Sequence, residues 1–441
     1  MSRNTKRFAA LGAALLTTIT LTACAGGSTT ASNDSNGGSE SAESGDANTI
    51  TFWSNHPGSS KEMEEELIAA FEEENPDLKV KLVTAGSNYE EVAQRFNAAL
   101  AGGDLPDVVI ASDVTWFNFA LNDATTPLDE LWEMNNIDAD SYVDTLREDY
   151  TYNDKHYGVP YSRSTNLMYW NTDDLEAAGL PTDRGPESWE EFDEWATTIK
   201  DKLNKPAVVV PDGSNYLDWY FQGMIWAFGG SYSNEWEPNF TSPESIEAGK
   251  FLQEQVQEGH IEIATDPTVA FGSGKAAGLL QSTGSLGGLN ETATIPFITT
   301  YLPGPGPSAA TGGAGLAVPA GISDERKANA VKFIDFITNT ENTIKFSQAT
   351  GYMPVRKDAL EDPEEKKFLE ENPNAETAIK QLNENTKPQD YARVFVPGGG
   401  QRIGGVLDRI TVGGQDVEQA FEDLQKETQS VIDRDITPKL K

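Results

Sequence analysis

The chain has 441 residues, a formal net charge of −37 at pH 7 and a single cysteine. This charge argues against nucleic acid or an anionic membrane surface as a general partner, because such a partner would be repelled. One cysteine cannot close an intramolecular disulfide. Beyond the N-terminal region no stretch approaches the roughly 18 consecutive apolar residues of a transmembrane helix, so no later membrane span is predicted.

The first 23 residues have the layout of a secretory signal peptide. Three basic residues at positions 3–7 precede a stretch of apolar and small residues that is too short to cross a bilayer. The sequence LTAC at 21–24 resembles the lipobox of bacterial lipoproteins. This resemblance implies cleavage before Cys24 and diacylation of its sulfur, and two acyl chains are enough for stable anchoring.

A polar segment separates this anchor from the rest of the chain. Residues 25–48 contain no large apolar side chain, so they cannot bury enough surface to offset the entropy of ordering, and a flexible linker is predicted. The folded part should begin near Thr49. It then has about 390 residues, which is enough for two domains.

The first part of the folded chain alternates between strand and helix patterns. Alternating β-branched and aromatic residues predict strands, a continuous apolar run predicts a buried strand, and apolar residues at helical spacing predict helices. This β-α-β-α-β order indicates an α/β domain with a largely parallel sheet. The predicted elements are strands at 49–54, 78–84 and 106–112, a helix ending before Asn75, and a helix over about 88–100 with Val92, Phe96 and Leu100 on one stripe.

A more helical second lobe is predicted from about residue 162 to residue 300. Its opening stretch, NLMYWNTDDLEAAGLP, predicts a strand, a turn and a short helix. Further amphipathic helices are predicted in it over 187–203, where Trp189, Phe192, Trp195 and Ile199 share one face, and over 245–259. Another amphipathic helix is predicted beyond this lobe, over 327–339. The segment 215–230 is rich in aromatic residues.

Motifs for catalysis, metal binding or cofactor binding are incomplete in this sequence. The stretch GSGKAAG at 272–278 lacks the first glycine and the Ser/Thr of a phosphate loop. His56, His156 and His260 are scattered singly and show no paired-ligand spacing. We therefore predict no metal site, no cofactor and no enzymatic activity.

Several stretches, taken in order, resemble the extracellular solute-binding proteins of ABC importers. They include FWSNHPG, ALAGGDLPDVVIAS, YSRSTNLMYWNTDDLEAAGL and GGAGLAVPAGISDERKANAVKFIDF. The resemblance implies an α/β, two-lobed periplasmic-binding-protein-like fold with a hinge between the lobes. The implied boundaries are 49–160 with a return segment at about 315–345 for the first lobe, and 161–314 with a C-terminal segment at about 346–441 for the second.

Within this family the sequence is most similar to the members that bind sn-glycerol 3-phosphate, some of which accept glycerophosphodiesters such as glycerophosphocholine. Asp113 stands where these members more usually have a glutamate. For the aromatic wall of the second lobe Tyr216, Trp219 and Trp226 are all candidates, and we favour Trp219. The ligand-binding residues implied by the resemblance are Tyr89, Asp113, Ser164, Trp219, Ser285, Gly313, Tyr352 and Arg402.

The chemistry of three of these residues suits the implied ligand. Arg402 lies in PGGGQRIGG, where glycines permit close backbone approach and a guanidinium can grip phosphate through two parallel hydrogen bonds. Gly351 is a candidate helix C-cap that turns Tyr352 inward. Ser285, in STGSLGG, offers a hydroxyl and nearby backbone donors to an anion.

These observations predict a non-enzymatic, monomeric receptor that is lipid-anchored at the extracellular face of a bacterial cell membrane. It would capture glycerol 3-phosphate or a glycerophosphodiester and deliver it to the transmembrane subunits of an ABC permease. An oligosaccharide receptor of the same fold is the nearest alternative, because tryptophan and tyrosine also suit sugar stacking. A secreted phosphodiesterase or glycosidase, or an adhesive surface protein, is a more distant alternative.

Overall fold

The computed structural model describes residues 47–440, all of them within one compact unit. The predicted signal peptide, Cys24 and nearly all of the predicted linker lie outside the described residues. Within the described range, no helix is both long enough and apolar enough to cross a membrane. The predicted start of the folded part is near Thr49, and the first strand begins at that residue.

The structure alternates strands and helices, with short 3-10 turns between several of them. The strands are β1 (Thr49–Ser54), β2 (Lys79–Thr84), β3 (Val108–Ser112), β4 (Thr151–Tyr152), β5 (Lys155–His156), β6 (Val159–Asn171), β7 (Val208–Pro211), β8 (Ser233–Asn234), β9 (Glu237–Pro238), β10 (Ile261–Ala264), β11 (Gly278–Ser282), β12 (Phe297–Thr300), β13 (Ala309–Ala317) and β14 (Thr386–Lys387).

The helices connect these strands, and several of them pack against the sheet. They are α1 (Gly58–Glu74), α2 (Tyr89–Gly102), α3 (Trp116–Leu121), α4 (Asp129–Asn135), α5 (Asp144–Glu148), α6 (Thr172–Ala178), α7 (Trp189–Leu203), α8 (Leu217–Ala227), α9 (Pro243–Gln257), α10 (Pro267–Gly272), α11 (Leu286–Thr292), α12 (Asp324–Ile337), α13 (Thr340–Thr350), α14 (Pro363–Glu371), α15 (Pro373–Glu384), α16 (Tyr391–Val394), α17 (Gly399–Thr411) and α18 (Val417–Val431).

The main sheet has the strand order β10-β7-β11-β6-β13-β3-β1-β2, with β12 beside β6 and β14 beside β13. At one end β2, β1 and β3 pair in parallel, and at the other end β10, β7 and β11 do so. The two parallel groups are joined through the antiparallel strands β6 and β13. The sheet therefore has two α/β halves that meet at these two strands.

Strand β6 runs through both halves and is buried over its whole length. Its first part, Val159–Thr165, pairs with β13, and its second part, Asn166–Asn171, pairs with β11 and β12. The chain crosses from the first lobe to the second along β6, and β13 lies beside it in the opposite direction. Strand β6 contains YSRSTNLMYW and β13 contains GGAGLA, which belong to the stretches that carry the family resemblance.

Two large hydrophobic cores correspond to the two lobes of the fold. The first draws mainly on residues 50–161 and 314–355, and the second on residues 168–310 and 392–424. Met353 and Val355 belong to the first core. We therefore propose that the return segment of the first lobe extends beyond residue 345; the other predicted lobe boundaries stay predictions.

Most of the predicted elements are confirmed, and the exceptions have physical reasons. Val92 and Phe96 on α2 are buried as predicted, but Leu100 is 39% exposed because it lies in the last turn, beyond the edge of the core. The predicted turn after β6 is absent, since Asn171 ends the strand and caps α6 directly by accepting from the Asp173 and Asp174 backbone N–H groups.

Candidate ligand-binding site

A cavity of about 500 Å³ lies between the two cores, and both lobes contribute to its walls. Seven of the eight residues predicted to contact ligand line it, and the eighth, Arg402, does not. Those that line it are Tyr89, Asp113, Ser164, Trp219, Ser285, Gly313 and Tyr352. The structure thus brings together residues that are spread over more than half of the chain.

Local backbone geometry sets the orientation of Tyr89 and Tyr352, two of the residues that line the cavity. Tyr89 is the first residue of α2, whose N-cap Asn88 accepts a hydrogen bond from the Glu91 backbone N–H at 2.9 Å. Tyr352 follows Gly351, which closes α13 in the left-handed conformation with φ 91° and confirms the predicted C-cap. The Tyr352 ring then stacks on Phe346, with ring centroids 5.7 Å apart and planes within 8°.

Both tyrosine hydroxyls remain protonated at neutral pH. Burial raises the pKa of Tyr352 to about 12 and raises the pKa of Tyr89 well above its usual range. A neutral phenol can donate a hydrogen bond to a ligand oxygen, whereas a phenolate could only accept one. The two hydroxyls are hydrogen-bonded to each other with Tyr89 as the donor, so Tyr352 is the phenol that can donate to a ligand from the wall of the first lobe.

Two successive glycines in β13 allow this strand to lie close to β6 and to the ring of Trp219. Gly313 has φ +94°, and a Cβ at this position would lie 2.0 Å from the Ser162 carbonyl oxygen of β6. A Cβ on Gly312 would lie 2.5 Å from the Trp219 ring, so this ring rests directly on the strand. The indole N–H of Trp219 donates to the Thr311 carbonyl at 3.1 Å, which fixes its orientation at the edge of the cavity.

Arg393 is the arginine that lines the cavity, and it is not among the residues predicted from the sequence. Its Nε donates to Asp218 Oδ2 at 2.6 Å and its Nη1 donates to Asp113 Oδ2 at 3.2 Å and to Gln389. Within residues 47–440 no group accepts a hydrogen bond from its Nη2. One face of the guanidinium is thus fixed by the protein, and one nitrogen remains available to a ligand.

The charges around Arg393 are strongly coupled. Burial lowers the pKa of Arg393, but the carboxylates of Asp218 and Asp113 raise it by more, so the guanidinium stays charged. Burial raises the pKa of Asp218 to about 6, against the opposing effect of Arg393. The cavity therefore contains one permanent cation whose charge is largely balanced by neighbouring acids.

Arg402 does not line this cavity, so its predicted grip on phosphate stays a prediction. The glycine-rich stretch that contains it is not a loop but the start of helix α17. There Arg402 Nε pairs with Glu427 at 3.2 Å and Nη2 donates to the Pro397 carbonyl at 3.0 Å. The glycines serve helix packing instead, since a Cβ on Gly404 would lie 2.5 Å from the Gly213 carbonyl oxygen.

One sequence signal could have identified Arg393. It lies between Ala392 and Val394, in a short apolar stretch that predicts burial. A buried arginine requires acidic partners and is therefore rarely incidental.

The other two aromatic candidates have different positions. Tyr216 lines the cavity with φ +74°, a conformation rare for a side chain of this size. Its hydroxyl donates to Glu90 Oε2 at 3.0 Å and accepts from the Tyr89 backbone N–H at 3.1 Å, so it joins α8 to α2. Trp226 lies outside the cavity, where its Nε1 donates to Asp390 at 3.1 Å.

Hydroxyl groups complete the polar surface of the cavity. The side chains of Ser164 and Ser285 line it, and within the described part of the chain neither hydroxyl has a protein partner. Together with Arg393 Nη2 and the Tyr352 phenol they form a set of donors from both lobes. Such a set suits an anionic, hydroxylated small molecule, and Trp219 offers an aromatic face beside it.

One group of possible metal ligands lies in the second lobe, away from the cavity. His260 Nδ1 is 3.5 Å from both Asp193 Oδ1 and Glu258 Oε2, so this histidine is not isolated as the sequence suggested. The same Nδ1 is 2.9 Å from Gln255 Oε1. These contacts satisfy the buried imidazole without a metal ion.

Comparison with known proteins places the chain among transport receptors. The model of the family described as bacterial extracellular solute-binding protein matches residues 66–377. The sn-glycerol-3-phosphate-binding periplasmic protein UgpB of Escherichia coli K12 is 26% identical over 402 residues, covering 85% of this chain and 90% of that protein. UgpB of Salmonella typhimurium is 26% identical over 397 residues, covering 85% and 87%.

Solved structures agree with this assignment. The crystal structure of UgpB from Mycobacterium tuberculosis in complex with glycerophosphocholine superposes with a TM-score of 0.85 at 47% identity, covering 88% of this chain and 99% of that one. Maltose-bound MalE3 of T. maritima shares the fold, with a TM-score of 0.77 at 22% identity and coverage of 87% and 99%. Because the family model spans well over half of its residues, this chain belongs to the bacterial extracellular solute-binding proteins.

Proposed function

We propose that this protein is the receptor of an ABC importer and that it captures a glycerophosphodiester such as glycerophosphocholine, with glycerol 3-phosphate as a weaker ligand. The observation that carries this proposal is Arg393, a buried guanidinium with one uncommitted nitrogen in the cavity between the lobes. A phosphate oxygen would accept from Nη2, while the hydroxyls of Ser164 and Ser285 donate to the remaining oxygens.

The charge balance of the cavity favours a diester over a monoester. Arg393 is already paired with Asp218 and Asp113, so the cavity has little excess positive charge. A phosphate monoester has its second pKa near 6 and carries close to two negative charges at neutral pH. Glycerophosphocholine carries one negative charge on the phosphodiester and one positive charge on the choline. Because its net charge is zero, placing it in this cavity requires less compensating positive charge than placing the monoester there.

The glycerol end of the ligand would lie where hydrogen-bond acceptors and an aromatic face meet. The Asp113 carboxylate can accept from glycerol hydroxyls, and the Trp219 ring can pack against the carbon backbone. The relatives support the same ligand class, since one of them was crystallised with glycerophosphocholine and others are named for sn-glycerol 3-phosphate.

The proposal is tested by isothermal titration of the purified protein with glycerophosphocholine, glycerol 3-phosphate and maltose. The informative variant is Arg393→Lys, which keeps a positive charge next to Asp218 but removes the planar fork of donors. We expect at least about tenfold weaker binding of glycerophosphocholine, because a charge-assisted hydrogen bond is lost. Arg402→Lys is the matched control, and its binding should equal that of the wild type.

Two results would overturn this assignment. Binding of maltose without either phosphate compound would make the protein an oligosaccharide receptor, with Trp219 as its stacking platform. Loss of glycerophosphocholine binding in Arg402→Lys, with Arg393→Lys unaffected, would show that the phosphate is bound by Arg402 on α17.

The fold and the N-terminal sequence support a role in delivering the ligand to a membrane permease. We propose that the monomeric receptor closes about β6 and β13 when ligand contacts both lobes, and that the closed form is recognised by the permease. Diacylated Cys24 would hold it at the extracellular face of the membrane. Growth with radiolabelled palmitate should label the wild-type protein and leave Cys24→Ala unlabelled; equal labelling of both would exclude Cys24 as the anchor.

A further inference from the structure

A second cavity, of about 390 Å³, lies on the opposite side of Asp113 from the ligand-binding cavity. Asp113 is the one residue that lines both cavities, so the second is a separate space. It lies between the first lobe and the segment 388–395, close to the crossover strands through Arg163 and Thr311. None of the interactions proposed for the glycerophosphodiester uses its other residues.

Aromatic rings form a continuous wall of this second cavity. Phe117 and Phe395 have centroids 4.6 Å apart, Tyr391 lies 4.6 Å from Phe395, and Trp236 lies 5.0 Å from Tyr391. Tyr152 extends the wall at 5.2 Å from Phe117. Tyr152, Trp236, Tyr391 and Phe395 are only partly buried, so apolar ring surface remains open to the cavity.

The accessible charge around this aromatic wall is negative. The side chains of Glu148 and Asp149 are 55% and 24% exposed, and the third carboxylate of the lining, Asp113, is paired with Arg393. Arg163 is the basic residue of the lining, but its side chain is only 2% exposed and it is committed to Asp149 and to the Tyr150 hydroxyl. Arg147 reaches Glu148 from outside the cavity at 3.1 Å, and Glu148 remains more than half exposed.

We infer that the second cavity binds an organic ammonium ion. The faces of aromatic rings attract cations through their quadrupoles, and alkyl groups on nitrogen gain contact with the same rings. The carboxylates of Glu148 and Asp149 supply the compensating charge. Small anions are disfavoured by these carboxylates, and a bare metal ion would leave the aromatic surface without a partner. The aromatic wall and the two carboxylates together favour a cation that has an apolar surface.

Choline and its neutral isostere 3,3-dimethylbutan-1-ol distinguish this site from a merely apolar pocket. Both are titrated calorimetrically into the wild-type protein. We expect choline to bind at least about tenfold more tightly than the isostere, because only choline gains the cation–π and carboxylate interactions. Trp236→Leu and Glu148→Gln should each weaken choline binding about threefold or more. Glu364→Gln, a fully solvent-facing acid on α14, is the matched control and should bind choline as the wild type does.

Each remaining outcome overturns the inference. Equal binding of the two compounds would make the cavity a nonspecific apolar pocket. Choline binding that survives Trp236→Leu but is lost in Trp219→Leu would place the ammonium ion in the first cavity. Absence of binding at millimolar choline would exclude the site. Thermal melts of all variants, together with glycerophosphocholine binding by Trp236→Leu, verify that a lost signal does not come from misfolding.

Discussion

Arg393 carries a positive charge among neighbours that are mostly acidic. These neighbours stabilise the guanidinium in its buried position. Removing it would leave Asp218 and Asp113 with uncompensated charge, while keeping it without acids would leave the guanidinium itself unpaired. The network is therefore stable only as a whole. In the proposed complex the phosphate would accept from Arg393 Nη2, which the network does not use, so little rearrangement of the network would be needed on binding.

The pH dependence of stability should report the titration of Asp218. Because burial raises its pKa to about 6 in the folded state, the folded state binds this proton more tightly than the unfolded state. The contribution of Asp218 to stability is then largest below about pH 4 and is lost as the pH rises to about 6, by up to about 3 kcal/mol.

Asp218→Asn removes this titration, so urea unfolding of wild type and variant should be compared between about pH 4 and pH 7. We expect the difference between their free energies of unfolding to change over the lower part of this range and to become constant above about pH 6. A difference that is constant throughout would show that Asp218 is ionised in the folded protein over the whole range.

Gly284 controls the position of Tyr352. A Cβ at Gly284 would lie 2.7 Å from the Tyr352 ring, and the ring cannot retreat because it stacks on Phe346. We expect Gly284→Ala to lower the free energy of unfolding by about 1–3 kcal/mol and to weaken glycerophosphocholine binding.

Gly288 provides the control for that substitution. It also lines the cavity, on α11, but a Cβ there would meet nothing within 4 Å. Gly288→Ala should raise the free energy of unfolding by up to about 1 kcal/mol, because alanine favours helix over glycine. Thermal unfolding and calorimetric titration of both variants check these expectations, and a harmless Gly284→Ala would contradict them.

At the scale of elements, Tyr216 connects helices that belong to different cores. Its hydroxyl binds both the Glu90 carboxylate and the Tyr89 backbone N–H, so it joins the first turn of α2 to the start of α8. Tyr216→Phe keeps the ring and removes both hydrogen bonds. We expect the lobes to separate more readily and glycerophosphocholine to dissociate roughly tenfold faster, since each bond contributes about 0.5–1.5 kcal/mol.

Tyr301→Phe is the matched control for this prediction. The Tyr301 hydroxyl also donates to a carboxylate, that of Glu384 at 3.2 Å, but it lies outside the cavity. Stopped-flow measurement of ligand dissociation should show a faster rate for Tyr216→Phe alone. Identical rates for both variants would mean that the Tyr216 contact does not restrain the lobes.

Helix α17 shows where sequence patterns mislead at this scale. Glycines predict loops because they destabilise helices, yet Gly399 and Gly404 lie in a helix that approaches neighbouring backbone too closely for any side chain. Tertiary packing outweighs local propensity here, and only the positions of the neighbours reveal it. Where local and tertiary preferences agree, as in α7 with its capping Ser188, the predicted helix is confirmed.

For the molecule as a whole, the order of strands and helices and the two crossings could be predicted because hydrophobic periodicity and family resemblance point to the same answer. Seven residues of the cavity lining were named from the resemblance, because the order of the elements that contain them is characteristic of the family. Arg393 did not follow, because its function depends on Asp218 and Asp113 converging on it from distant parts of the sequence. Such convergence leaves no local pattern.

The shared strand β6 predicts that the two lobes unfold together. All 13 of its residues are buried, it belongs to both halves of the sheet, and neither core is built from a contiguous piece of chain. Tryptophan fluorescence and far-UV circular dichroism should therefore give coincident urea transitions.

Glycerophosphocholine at about 100 times its Kd should shift this single transition by about 2.7 kcal/mol, because a ligand that contacts both lobes binds only when both are folded. In Arg393→Lys the same concentration should give a smaller shift, since weaker binding lowers the ratio of ligand to Kd. Two separate transitions, with ligand moving only one of them, would show that the lobes fold independently and that the ligand is held by one lobe. A single transition that moves as a unit would instead establish that closure about β6 couples ligand capture to the stability of the entire receptor.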